Sequence, residues 1–458
     1  MSEALYLLDA TQATRLIKQG DIRVIDLVGA CLDRIEQVEP MVDAWAYLDP
    51  AAAISKAAEL DQKLVDGMLD GRPPGDLIGI PIGVKDIFNT YDMPTQMGSP
   101  IWKDFTPGND ARVVHYLRMA GAVIPGKTVT AEFAVHTPGP TRNPHNPEYM
   151  AGTSSTGSAV AVASYMVPVS IGTQTAGSTI RPASYTGVFG YKPSFGLLPR
   201  TAMLKTTDSL DTVGMFARSV PDLRLLFDIM RVKGVDYPIH AEMLSDPTRR
   251  TVTGNWKVGV VRGPKWDHAE AYAQDSLLAF AKRLDGSPDI QVEEVSLPES
   301  LNRVHEIHAT IYDRTLAYYF QDEFKQNTLV SKAMYEIINH GFEISLDQYK
   351  TALEDQFQIS SALDNFLVEN DLDILLDLST GGEALKGLDS VDRPDHCLIW
   401  TFCGLPAINL PVFSGPNQLP FGAQIISRRY NDYLLLNFAE HLSRTGLIPA
   451  ATYPPLSG

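Results

Sequence analysis

The stretch that most constrains this chain is residues 152–182. It opens Gly-Thr-Ser-Ser-Thr-Gly-Ser, continues through small apolar residues to Tyr165 and a short apolar run to Ile171, and closes Gly-Thr-Gln-Thr-Ala-Gly-Ser-Thr-Ile-Arg-Pro. Two clusters of Gly, Ser and Thr therefore flank an apolar segment that Pro168 divides into a helix-like half and a strand-like half. A flexible linker carries no such apolar middle. A core helix does not open on Thr153, Ser154, Ser155, Thr156 and Gly157 unless the backbone there turns tightly or approaches a ligand. The pattern predicts a helix and a returning strand that bring Ser154 and Ser178 face to face.

Upstream, the periodicity is helical. Asp9 or Thr11 can cap a segment with Ala13, Leu16 and Ile17 on one face, and Gly20 closes it. Asp21 is read as the cap of a second segment bearing Val24, Leu27, Cys31 and Ile35, and Pro50 opens an Ala-rich helix running to Leu64. Residues 1–70 are expected to form an N-terminal helical layer, with a linker from Gly67 to Asp76. Residues 71–458 are read as a single α/β catalytic domain. Residues 77–84, Leu-Ile-Gly-Ile-Pro-Ile-Gly-Val, form an apolar run of buried-strand type that delivers Lys85 and Asp86 at its end.

Residues 121–128 match the phosphate-loop pattern, ending Gly126-Lys127-Thr128. The context refuses it. Residues 111–120, where a strand should precede, have helical spacing, and Pro125 removes a backbone donor from the would-be cradle. Further on, strand-like runs at 257–261, 290–295, 372–378, 407–412 and 421–426 alternate with helical stretches at 269–284, 304–324, 346–367 and 433–442. The fold expected is α/β, a large mixed twisted sheet covered on both faces by helices.

Composition narrows the function. With 38 basic and 55 acidic residues the net charge is −17, spread without blocks, which argues against a nucleic-acid partner. Cys31, Cys397 and Cys403 have neither disulfide-framework nor zinc-type spacing. The start of the chain lacks a basic and apolar leader, and the longest mostly apolar run is too short to span a bilayer. A soluble cytoplasmic enzyme without membrane attachment is the expectation.

A serine nucleophile needs a base. No Gly-x-Ser-x-Gly elbow is present, and His305 and His308 lack a third ligand or the His-Glu-x-x-His spacing, so no metal is expected. What remains is Lys85 with the two clustered serines. A lysine serves as a base only when burial pulls its pKa, about 10.4 in water, toward working pH. A strand-end lysine standing alone would more simply reach solvent.

The residues themselves resemble a known family. Ile80-Pro-Ile-Gly-Val-Lys85-Asp86, Gly121-Ala to Thr128, Asn143-Pro-His-Asn146-Pro, Gly152-Thr-Ser-Ser-Thr-Gly-Ser-Ala159, Gly177-Ser178 to Pro182 and Gly190-Tyr-Lys-Pro193 look, in order, like the amidase signature family. The core of the resemblance is about residues 77–214, and Gln174-Thr with Ile180-Arg-Pro-Ala looks closest to its bacterial malonamidase-like members.

The resemblance implies a catalytic set of Lys85, Ser154 and Ser178. Lys85 would be the base, Ser154 a proton relay joined to its predecessor by a cis peptide, and Ser178 the nucleophile. The backbone N–H groups of Thr175, Ala176, Gly177 and Ser178 would form the oxyanion hole. It implies hydrolysis of a small-molecule amide or carbamate without cofactor, and is compatible with a homodimer. It leaves two alternatives, the glutamine-hydrolysing subunit of a tRNA amidotransferase and a non-catalytic binding protein on the same scaffold.

Three positions depart from the family pattern, which usually has glycine where Thr153, Thr156 and Ala176 stand. Thr153 is expected to touch substrate. Arg181 has two readings, an anchor for a substrate carboxylate or a partner of an internal carboxylate such as Asp86. Asp208 and Asp211 are expected to tie down a loop. The acyl pocket is expected from residues 90–102, 304–342 and 376–395.

Overall fold

The structure, a computed structural model, describes residues 4–65, 75–234, 255–326, 328–390, 392–449 and 451. Its frame is one 11-stranded sheet. The strands in chain order are β1 (Trp45–Leu48), β2 (Ile82–Lys85), β3 (Gly126–Thr128), β4 (Val169–Gln174), β5 (Phe189–Lys192), β6 (Thr212–Ala217), β7 (Trp256–Val261), β8 (Ile290–Val295), β9 (Ile374–Leu378), β10 (Ala407–Ser414) and β11 (Pro420–Ile426). Across the sheet they run β1-β3-β2-β4-β6-β5-β10-β11-β9-β7-β8. The sheet is mixed, as expected. β3, β2 and β4 are parallel, as are β9, β7 and β8, and antiparallel pairs join these two blocks.

Strand alternation shows why helices are needed on both faces. On β6, Val213, Met215 and Ala217 point into the core shared with the helix Val220–Met230, whereas Phe216 points into the one shared with the helix Thr156–Ala163. On β9, Ile374, Leu376 and Leu378 face one core and Leu375 the other. Strands buried on both sides read as continuous apolar runs, which is why residues 77–84 and 372–378 were legible.

The helices at 271–285, 304–319, 346–369 and 432–444 fall within a few residues of their sequence-based ranges. Asp9 caps the first helix through the backbone N–H of Gln12, and Gly20 closes it in the left-handed conformation. Asp21 is not the second cap. That helix begins at Val24, and its first N–H groups, of Val24 and Ile25, are taken by Asp61 from the neighbouring helix at 2.7 and 2.9 Å. The N-terminal segment also holds a strand, β1, antiparallel to β3. Of the linker read at residues 67–76, only Gly75 and Asp76 lie among the described residues.

The phosphate-loop pattern is part of the sheet. Gly126 to Thr128 are β3, and the wholly buried Lys127 lies 3.4 Å from Asp86. Gly126 is required there because a Cβ would lie 2.1 Å from the Tyr47 carbonyl on β1. Among the described residues, no helix is long and apolar enough to cross a membrane.

Candidate active site

Lys85 ends β2, with parallel neighbours on both sides. Its register partner on β3 is Thr128, and Val84 pairs with Ile171 on β4. The crevice beyond the carboxyl ends of parallel strands is where open α/β sheets bind ligands. Each of the eight residues of the helix Thr156–Ala163 is buried, and its small side chains let it lie close on the sheet. The chain then reverses through Tyr165, at φ 60, and Pro168, and returns as β4. The strand runs past the expected apolar half and absorbs Gly172, Thr173 and Gln174. A Cβ on Gly172 would meet the Ser155 hydroxyl at 2.7 Å, so glycine lets the strand pass beneath the serine turn.

That packing brings Lys85 under the serines. Its Nζ lies 2.8 Å from Ser154 Oγ, 3.0 Å from Ser155 Oγ and 3.0 Å from Thr173 Oγ1, and the side chain is fully shielded from solvent. The Thr153–Ser154 peptide is cis. Burial pulls the Lys85 amine down to about 7, against the weaker upward pull of Asp211. A strand-end lysine reaching solvent is therefore not what the fold builds.

Ser178 lies in the turn between β4 and the helix Ile180–Thr186 and is only partly buried. A Ser154–Ser178 hydrogen bond is not among those of the described residues. In this turn the backbone N–H groups of Thr175, Ala176, Gly177 and Ser178 donate to no protein acceptor among the described residues. Four successive free donors make a ready cradle for negative charge.

The turn is held from behind. The Thr175 hydroxyl donates to Asp211 at 2.7 Å, and Asp211 in turn receives the backbone N–H groups of Thr206 and Thr207 at 2.8 and 3.0 Å. Asp211 therefore ties a loop, as expected, and also the turn beside Ser178. Gln174 Oε1 accepts the N–H groups of Thr179 and Ile180 at 2.8 and 2.9 Å, which satisfies two orphan donors at the helix start.

Arg181 does not meet Asp86, which lies beside Lys127. Its guanidinium is clasped instead by Asp392 and Asp395, and its Nη1 lies 3.3 Å from Thr153 Oγ1, a hydroxyl that also donates to Asp392. Burial opposes the charge on Arg181, yet the two carboxylates outweigh it and hold its pKa above the ordinary value. This cluster joins the residue before Ser154 to the helix after Ser178. The Thr153 hydroxyl is thereby occupied. Thr153, Thr156 and Ala176 have no left-handed φ, so none of the three needs glycine's backbone freedom.

Sequence reasoning gave no role to Ser155, Thr173, Asp392, Asp395 or Thr401, and weighed His308 only as a metal ligand. Ser155 lies within the quoted motif, and residues 304–342 and 376–395, which supply His308 and the two aspartates, are the expected pocket segments.

Comparison with known proteins places the chain among the amidase-family hydrolases. Residues 26–436 match the profile of the amidase family, and the chain belongs to that family. It is 29% identical over 479 residues to a glutamyl-tRNA(Gln) amidotransferase subunit of Carboxydothermus hydrogenoformans, covering 95% of this chain and 96% of that protein. It is 31% identical over 455 residues to the Mycobacterium tuberculosis protein AmiD, named as an amidase, covering 95% and 93%. Among solved structures, the native peptide amidase of Stenotrophomonas maltophilia superposes with a TM-score of 0.82 at 25% identity, over 98% of this chain and 99% of that one.

Proposed function

We propose that this chain hydrolyses the carbon–nitrogen bond of a linear amide or carbamate through an ester formed on Ser178. Neutral Lys85 takes the Ser154 proton while Ser154 Oγ takes that of Ser178, and Ser178 Oγ attacks the carbonyl carbon. The oxyanion that forms is met by the N–H groups of residues 175–178. As the tetrahedral species collapses, the carbon–nitrogen bond breaks, and the proton returns through Ser154 to the leaving nitrogen. Water then cleaves the ester by the same relay, releasing the acid and restoring Ser178.

The observation that carries this reading is the wholly buried Lys85 amine, 2.8 Å from Ser154 and pulled down to about 7. Arg181 and Thr153 serve to hold the two loops, because Asp392 already engages both of them. The test is a panel of short aliphatic amides, aryl amides and aryl carbamates, with the covalent mass shift read on Ser178. Ser178→Ala should abolish both turnover and label, and turnover persisting at the wild-type rate would remove the assignment.

The likeness to an amidotransferase subunit over nearly its whole length favours one second reading, glutamine hydrolysis within a larger assembly. Hydrolysis of panel substrates by the purified chain alone, without glutamine turnover, would decide against it.

A further inference from the structure

A trans peptide is planar, so its C=O and N–H point in opposite directions, and pinning the carbonyl of one unit fixes where the N–H of the next residue aims. All peptides in the turn are trans, the only cis bond among the described residues being Thr153–Ser154. In three successive units the carbonyl has a fixed donor. The Thr175 carbonyl faces His308 Nε2 at 3.0 Å, the Ala176 carbonyl receives the Thr401 hydroxyl at 2.7 Å, and the Gly177 carbonyl receives the Arg181 N–H at 2.9 Å. The N–H groups aimed the other way belong to Ala176, Gly177 and Ser178.

From this geometry we infer that His308 and Thr401 are positioning residues for the oxyanion hole, each setting the direction of one N–H through the carbonyl behind it. The inference rests on the proposed role of residues 175–178. Both bond carbonyls of the turn and neither bonds Lys85, Ser154 or Ser178, so their effect passes through the backbone.

Their own surroundings fix the donors. A carbonyl only accepts, so His308 is the tautomer with its proton on Nε2. Its ring is buried and stacks on Tyr312, with centroids 5.4 Å apart and planes at 27°, so it cannot swing away. Burial holds it neutral, its pKa pushed down to about 4 despite the bond to Thr175. Thr401 Oγ1 accepts from Gln174 Nε2 at 2.9 Å, which leaves its proton for a carbonyl, and the Ala176 oxygen at 2.7 Å is much nearer than the Cys397 oxygen at 3.4 Å. Gln174 is oriented in turn by the two N–H groups on its Oε1.

The experiment pairs a variant that deletes each donor with one that keeps it: His308→Phe with His308→Gln, and Thr401→Val with Thr401→Ser. Three quantities are read: kcat and KM for the fastest amide of the panel, and the Ki of n-propylboronic acid, which forms a tetrahedral anion on a serine. Phe and Val should lower kcat and weaken the boronate by matching factors of about ten- to a hundredfold, less than the ~100- to 1000-fold loss of a whole oxyanion donor, with KM little changed.

Gln and Ser should recover most of both. The ratio of boronate Ki to KM does not depend on the fraction of folded enzyme, so poor folding cannot imitate the result. Equal impairment by Phe and Gln and by Val and Ser, or a fall in kcat with boronate affinity unchanged, would overturn the inference. A wild-type enzyme that forms no boronate adduct on Ser178 would instead overturn the Ser178 reading beneath it.

Discussion

Lys85 Nζ lies 3.0 Å from the Ser155 hydroxyl, and that hydroxyl already gives its proton to the Thr173 carbonyl at 3.1 Å. Ser155 can therefore only accept from Lys85. A neutral amine has two N–H bonds and one lone pair. With one N–H directed to Ser155 and the other to Thr173 Oγ1, the lone pair is left for the Ser154 O–H at 2.8 Å. An ammonium would need a third acceptor and would reverse the contact with Ser154. Ser155→Ala removes the acceptor that fixes this direction, and kcat should fall by up to about tenfold, the worth of one neutral hydrogen bond, with KM nearly unchanged. Steady-state kinetics above the pKa of Lys85 checks this, and an unaltered kcat would show that Ser155 does not direct the amine.

As the proposed base, the same amine should set the pH profile. Burial lowers its pKa to about 7, and Asp211 partly offsets that by favouring the charged form. The proposed mechanism needs the neutral form, so activity should be complete above that value and lost as pH falls through it, giving a one-proton acid limb near 7 in kcat/KM. Asp211→Asn removes the upward pull, so the limb should move to lower pH. The plateau should also drop, because Asp211 holds Thr175 at 2.7 Å. Rates measured from about pH 5 to about pH 9 would show both effects. A limb displaced upward would mean that Asp211 does not act on Lys85.

Parts of this site were written in local pattern and parts were not. The run from Leu77 to Lys85 betrays a strand because it is buried on both faces, and residues 152–182 betray a helix and strand because Pro168 and the small residues punctuate them. The partners of Arg181 lie more than two hundred positions away, at Asp392 and Asp395, and are set by how β9 to β11 pair, so Asp86, nearer in sequence, was the wrong candidate. Short strands such as β1 and β3 carry too few residues for a period to show, and Asp21 lost its capping role to Asp61 on another helix.

Two glycines within residues 152–182 should fail differently. A Cβ on Gly157 would lie 2.3 Å from the Ala44 carbonyl and 2.4 Å from the Val129 nitrogen, both backbone atoms that cannot step aside. Gly157→Ala should destabilise the fold by about 1–3 kcal/mol, visible as a lower melting temperature. On Gly177 the nearest atoms are Asp395 Oδ2 at 2.6 Å and Arg181 Nη2 at 2.9 Å, the ends of side chains. Gly177→Ala should therefore push the ion cluster off the turn and lower kcat more than melting temperature. Loss of stability equal to that of Gly157→Ala would show that the cluster is as rigid as backbone.

Arg181 offers the sharpest contrast between holding a loop and holding a substrate. Its side chain is 9% exposed and two carboxylates close on it. An arginine that anchored a substrate carboxylate would leave stability unaffected when replaced, and only anionic substrates would suffer. A guanidinium that neutralises Asp392 and Asp395 leaves two mostly buried like charges behind when removed, a loss of up to about 3–5 kcal/mol, the upper figure being that of a fully buried pair. Arg181→Met should lower the melting temperature markedly and reduce turnover of neutral and anionic amides together. Arg181→Met with Asp392→Asn and Asp395→Asn should regain part of the stability, because the stranded charges are gone. A variant as stable as wild type that loses only carboxylate-bearing amides would return Arg181 to the substrate.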